Sequence, residues 1–338
     1  MKAKIQENKL MDVKSTSKLI EEGKVLVLSG SEDLLNQLPH GNWIGATTPF
    51  FYLEQKINKE SGRGYLMVSD FTDLIKSFSI SVFDETSLKN VSTSGFENGF
   101  NFLVLPALRD IQFSFALNSS SYEKLFENPL IGLVAGVDLE EFTKGKLSKT
   151  FYGPSGESFT DNAVVLHAEL PPEKVARLEI VNVFEPENDI FIEVEEDAFR
   201  VKNCLIDGKP TSLYEYIKEH NIDTSYPLVC DYAGATVNVS FQYLDDEKKE
   251  VVFYAPLFKG KKYTTSKKFD SYSESFRNRI ESVLENEKNI VYNCNCILNY
   301  LYGELDKHDI GFSGATTFGE VAYVLLNQTF TYLAIDEQ

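Results

Sequence analysis

The sequence predicts a mixed α/β (α+β) fold, with two related halves built on mixed and antiparallel sheets flanked by helices. Three observations carry that expectation. The tetrapeptide Gly-Ala-Thr-Thr occurs twice, in "GNWIGATTPFF" (41–51) and in "GFSGATTFGE" (311–320). Short apolar runs bounded by Gly and Pro recur along the chain, the mark of covered strands. The 25 Phe and 17 Tyr suit pleated faces, where aromatic side chains pack well. A chain of 338 residues allows two domains or one duplicated unit. The expected division is a polar N-terminal segment (1–19), a first half (20–170) and a second half (171–338), parted at Pro171-Pro172.

In chain order, "KVLVLSG" (24–30) reads as a buried strand and "SEDLLNQL" (31–38) as a helix opened by Ser31 and stopped by Pro39. "HGNWIGATT" is a turn and a strand running into the first repeated corner. "FFYLEQ" (50–55) and "GYLMVSD" (64–70) predict a hairpin around "KINKESGR". "FNFLVLP" (100–106), "IGLVAGV" (131–137) and "AVVLHAEL" (163–170) are further strands. Ser120 and Glu123 form a capping box that predicts a helix in "YEKLFEN".

The second half has a more antiparallel character. "DIFIEVEE" (189–196) and "TVNVSFQY" (236–243) alternate. In the latter, Val237, Val239, Phe241 and Tyr243 are expected inward, and Asn238 and Ser240 outward. "VVFYAPL" (251–257) should pair with it across "LDDEKKE". Ser212 with Glu215 and Ser271 with Glu274 cap two helices, the second presenting Phe276, Ile280, Val283 and Leu284 on one face. "NIVYNCNC" (289–296) is a strand and "ILNYLYGEL" (297–305) helical. "TFGEVAYVLLNQTFTYLAI" (317–335) reads as two strands about Asn327-Gln328 rather than a helix from Thr317, because Gly319 weakens a first turn.

Charge narrows the partners. A net charge of −18 repels phosphate backbones and anionic headgroups, which argues against nucleic acid. The one basic cluster, "KGKKYTTSKK" (259–268), reads as a solvated loop or a lysine-guarded edge. No apolar run approaches a bilayer span, and "MKAKIQENKLMDVKS" lacks the apolar stretch of a secretory signal, so no membrane insertion is expected. Four cysteines imply no disulfide framework, and the reducing cytoplasm is the expected compartment.

Each Gly-Ala-Thr-Thr precedes an aromatic segment carrying one glutamate, Glu54 or Glu320. With "IGLVAGV" and "GPSGESFTDNAVVLHAEL", "WIGATTPFF" resembles the N-terminal part of the FIST family of sensory domains. "CLIDGKPTSLYEYI", "NIVYNCNC" and "GFSGATTFGEVAYVLLNQTFTYLAI" resemble its C-terminal part. The chain departs from that pattern where Cys294 is followed by Asn295, Cys296 and Ile297, with no arginine. The resemblance implies a small polar ligand, such as an amino acid, and a separate signalling protein engaged in trans. It also implies haem in one branch of the family.

The residues themselves point to a ligand site at the corners. Glycine admits close backbone approach and threonine hydroxyls both donate and accept, so Gly45, Thr47, Thr48, Gly314, Thr316 and Thr317 can line one pocket if the halves face each other. Phe318, Glu320 and Cys294 complete the candidate set. The corner loops lack the lysine of a phosphate-binding loop, and no Gly-x-Ser-x-Gly elbow, HExxH or triad occurs. A catalytic alternative rests on Cys294 or on Thr317 with Glu320. Cys294 and Cys296 share a strand face, where they are expected as small buried hydrophobes rather than metal ligands. No metal and no cofactor is expected from the residues; His167 is the best-placed axial ligand should haem bind.

Overall fold

The computed structural model describes residues 8–52, 64–232, 235–305 and 312–338. It is a mixed α+β protein in which mixed and antiparallel sheets are flanked by short helices. Two of the sheets repeat one plan. In the first, Leu26–Gly30 runs parallel to Trp43–Thr47, with the helix Glu32–Leu35 as the crossover. In the second, Ile290–Cys296 runs parallel to Gly314–Thr317, with the helix Ile297–Tyr302 as the crossover. The leading strand of each pair has an antiparallel neighbour, Leu66–Asp70 in one and Phe330–Glu337 in the other. The same position of the tetrapeptide is paired in both: Ala46 faces Ser29, and Ala315 faces Cys294. The repeated tetrapeptide thus marks a repeated strand–helix–strand unit.

The two units trade strands. Phe51–Tyr52, just past the first corner, pairs antiparallel with Gly314–Thr317 of the second unit. Glu320–Ala322, just past the second corner, joins Leu130–Ala135 in the six-stranded sheet of the first half. That sheet continues through Gly99–Pro106, Ala163–Glu169 and Ser77–Phe83. Its central strands are buried on both faces, which explains their unbroken apolar runs. The expected boundary at residue 170 therefore has strands passing across it both ways.

This trade corrects the hairpin expected between 50–55 and 64–70. Phe51–Tyr52 and Leu66–Asp70 lie in different sheets. Residues 53–63, and with them Glu54, lie outside the described residues. The capping box at Ser120 opens no helix: Ser119–Ser121 is a single 3-10 turn, and Lys124 has a left-handed φ of 60°, which interrupts helical progress. The helix there is Asp110–Asn118 instead, which buries Ile111, Phe115 and Ala116.

Further along, "DIFIEVEE" contributes only the two-residue strand Ile192–Glu193. The strand expected over 236–243 breaks into Ala235–Val239 and Phe241–Asp245, which belong to different sheets. Val239 and Phe241 are buried as expected, but so are Asn238 and Ser240, while Tyr243 is exposed. The reason is polar: Asn238 Nδ2 donates to the carbonyls of Asn327 and Gln328 (3.1 and 3.2 Å), and Ser240 Oγ donates to Gln328 Oε1 (2.7 Å). Phe241–Asp245 does pair with Glu250–Leu257.

Both Ser212 and Ser271 cap their helices through the backbone amide three residues on. Phe276, Ile280 and Val283 of the second helix are buried together in one cluster. The segment 317–335 forms strands, three rather than two: Glu320–Ala322, Val324–Leu326 and Phe330–Glu337. The polar N-terminal segment carries structure, with the strand Lys9–Met11 followed by the helix Val13–Glu21 capped by Asp12. Among the described residues, no helix is long and apolar enough to cross a membrane.

Candidate functional site

The two corners meet. Thr48 Oγ1 donates to the Thr316 carbonyl at 2.7 Å, across 268 positions of sequence. The Thr316 amide and hydroxyl both donate to the Phe50 carbonyl, at 3.0 and 2.9 Å. The Leu130–Ala135 strand and the residue beyond it serve both corners: the Gly136 amide donates to the Thr47 carbonyl (2.7 Å), and the Phe318 amide to the Val134 carbonyl (3.0 Å). Thr47, Thr48, Thr316 and Thr317 are all buried.

The glycines admit the protein's own groups. A Cβ on Gly314 would lie 2.3 Å from the Tyr52 hydroxyl, which itself donates to Asn293 Oδ1 at 2.6 Å. A Cβ on Gly45 would press on Trp43 and Phe151 at 3.1 and 3.2 Å. At Gly136 it would enter the Phe318 ring. At Gly314 and Gly136 the room that glycine leaves is filled from across the seam, by Tyr52 and Phe318.

Glu320 is the chemical centre of the second corner. Its carboxylate is fully buried and accepts from Thr317 Oγ1 (2.7 Å), Thr329 Oγ1 (2.8 Å) and the Thr329 amide (3.3 Å). Burial pushes its proton affinity up to about 7, and the donated hydrogen bonds offset only part of that. Such a carboxyl can hold or release a proton near neutrality, and Thr317 is within reach of it. Next to it, Asn295 is wholly buried: its Oδ1 accepts from Asn299 Nδ2 (2.9 Å), while its own Nδ2 has no hydrogen-bond partner among the described residues. Gln328, beside Thr329, donates to the Ser225 carbonyl at 3.0 Å and so ties this corner to the outer sheets of the second half. Sequence reading treated Asn327-Gln328 as a turn; adjacent amide side chains between two strands were the available signal of a polar anchor.

The cysteines are separate in environment. Cys294 lies in the large core with Phe102 and Ile131, its Sγ 3.1 Å from Thr331 Oγ1. Cys296 packs with Phe50, Ile297 and Leu298. Burial pushes the Cys294 thiol up to about 12 and raises that of Cys296, so neither is a ready nucleophile at neutral pH. All four cysteines are free and buried, and no group of three metal-ligating side chains occurs among the described residues.

His167 is completely buried in the six-stranded sheet. Its Nδ1 donates to Asn101 Oδ1 (2.6 Å), Nε2 has no hydrogen-bond partner among the described residues, and the Phe83 ring lies edge-on at 6.1 Å. Burial lowers its proton affinity to about 4. An axial haem ligand needs an open face for the macrocycle, and the close-packed strands around His167 leave none, so the residue does not fit that group.

No curated protein and no solved structure matches the chain. The family of unknown function DUF6976 matches residues 11–336, nearly the whole length, and the chain belongs to that family.

Proposed function

We propose that the protein is a small-ligand sensor of FIST type, in which the paired corners are the joint through which its halves report on each other. The observation that carries this reading is the crossed contact of the two corners, Thr48 on Thr316, with a strand of each half built into a sheet of the other. A ligand that prefers one arrangement of that joint shifts the whole population towards it. The unpartnered amide of Asn295 adds a donor suited to a small polar molecule such as an amino acid. The output is a surface read by a separate signalling protein in the cytoplasm, a compartment that suits four free thiols.

The experiment is a thermal-shift survey of the twenty amino acids on the full chain, repeated on Thr316→Val and Thr317→Val. The expected outcome is stabilisation by one or a few amino acids, reduced at least about tenfold in affinity by either substitution, since each removes a buried hydrogen bond. An indifferent wild-type protein, or stabilisation identical in both variants, removes the corners from the sensing role.

A further inference from the structure

We infer that the protein forms a two-fold dimer with a second copy of itself, joined through the outermost strand of the six-stranded sheet of the first half. That strand, Ser77–Phe83, pairs along all seven of its residues with Ala163–Glu169 on its inner side. On its outer side no backbone hydrogen bond is made to it among the described residues. The free amides and carbonyls there are a template for one more strand.

The other sheet edges are guarded. Among the described residues each is five residues long or shorter, except Lys174–Val181, which carries Lys174, Arg177 and Glu179. Short length, charge and proline are the devices that keep edges from pairing. Ser77–Phe83 has none of them.

Its sequence selects a second copy of itself. An antiparallel copy aligned on Ile80 sets Phe78 against Val82, Ile80 against Ile80, and Ser79 against Ser81. Apolar side chains then meet apolar ones and hydroxyls meet hydroxyls, the pairs that stabilise neighbouring strands. Val82 is exposed, and Phe78 and Ile80 are half-buried, so the pairing takes apolar surface out of water. A slip of one residue would set Ile80 against a serine.

Charge independently fixes the same register. Lys76 precedes the strand, Asp84 follows it, and both are exposed. Lys76 Nζ is steadied by Glu169 at 2.7 Å, and Asp84 Oδ1 accepts from the amide and hydroxyl of Ser87 (2.8 and 2.6 Å). In the pairing centred on Ile80, Lys76 stands opposite Asp84 of the second copy at both ends of the ladder. A slip of two residues would set Asp84 against Phe78, or Lys76 against Val82. The two-fold axis through Ile80 closes the assembly at two chains.

Sedimentation velocity of the full chain over a concentration series tests the proposal. The wild type is expected to sediment at twice the mass of one chain. Val82→Lys, at an exposed position, guards the edge and is expected to raise the dissociation constant at least about tenfold. Lys76→Glu and Asp84→Lys each place like charges opposite one another at both ends, and each alone is expected to weaken the dimer about tenfold. Mixed in equal amounts, the two variants should dimerise as tightly as the wild type, because one end is restored and the other carries the same pair reversed. Misfolding of either variant would not yield that rescue. A monomeric wild type, which would leave the edge to a different protein, overturns the proposal. So does an open-ended assembly, a Val82→Lys protein that dimerises normally, or a mixture no tighter than its components. Thr316→Val alters the corner and not this edge, so the two readings fail separately.

Discussion

Glu320 and His167 place two buried titratable groups of opposite sign in one core. The folded protein keeps a proton on Glu320 up to about pH 7, whereas the unfolded chain gives it up from about 4.5. Stability from this group is therefore full at low pH and falls as pH rises through that window. His167 works the other way. The unfolded imidazole takes a proton below about 6.5, which the folded protein refuses until about 4, so stability falls as pH drops. Each effect is on the order of 3 kcal/mol, and between about pH 4.5 and 6.5 they oppose each other. Denaturant unfolding across that range should show Glu320→Gln gaining stability with rising pH and His167→Gln losing it. Parallel profiles for the two variants would contradict the assignment. Residue reading had selected Glu320 and Thr317 as a pair, and they do touch. It had no means of knowing that three donors from two threonines converge on that carboxylate, because Thr329 is brought there only by the return of the chain into the last strand.

At the scale of elements, apolar runs and caps were legible. The strands at 26–30, 130–135, 163–169 and 290–296, and the helices capped by Ser212 and Ser271, lie where local pattern puts them. The misplaced elements share a cause. The 236–243 strand was read by alternation alone, yet its polar side faces a buried turn at 327–328. The helix Asp110–Asn118 begins without a side-chain cap, so it announces itself only through burial of Ile111 and Phe115. Close strand approach makes one glycine decisive. A Cβ at Gly132 would lie 1.9 Å from the Leu103 carbonyl of the neighbouring parallel strand, and backbone cannot step aside as a side chain does. Gly132→Ala should cost about 3 kcal/mol, measured as a lower denaturation midpoint with an unchanged slope. Wild-type stability in that variant would mean the two strands are further apart than described.

For the whole molecule, the exchange of strands matters more than the boundary at Pro171-Pro172. Hydrophobic clusters draw on both sides of it: Val104 and Leu133 pack with Tyr292 and Leu333 in one, and Phe115 and Val165 with Leu213 and Phe253 in another. Each half alone would expose an unpaired strand edge and a stripped core. Fragments 1–170 and 171–338, produced separately, are expected to lack cooperative unfolding transitions, and to regain one when co-expressed. Independent folding of either fragment would show that the crossing strands are dispensable.

Local pattern suffices for the class of the fold, most of its strands, its helix caps and the existence of a repeat. All of these are written in local periodicity and in short motifs, which act within a few residues of one another. Pairing emerges only in three dimensions: Phe51–Tyr52 leaves its own half, the two threonine corners close on each other, and Gly314 and Gly136 accommodate Tyr52 and Phe318. The contacts of the two threonine corners join residues more than 260 positions apart. Which edge a strand finds depends on the hydrogen bonds and buried area available once all the sheets exist, and no local window contains that information.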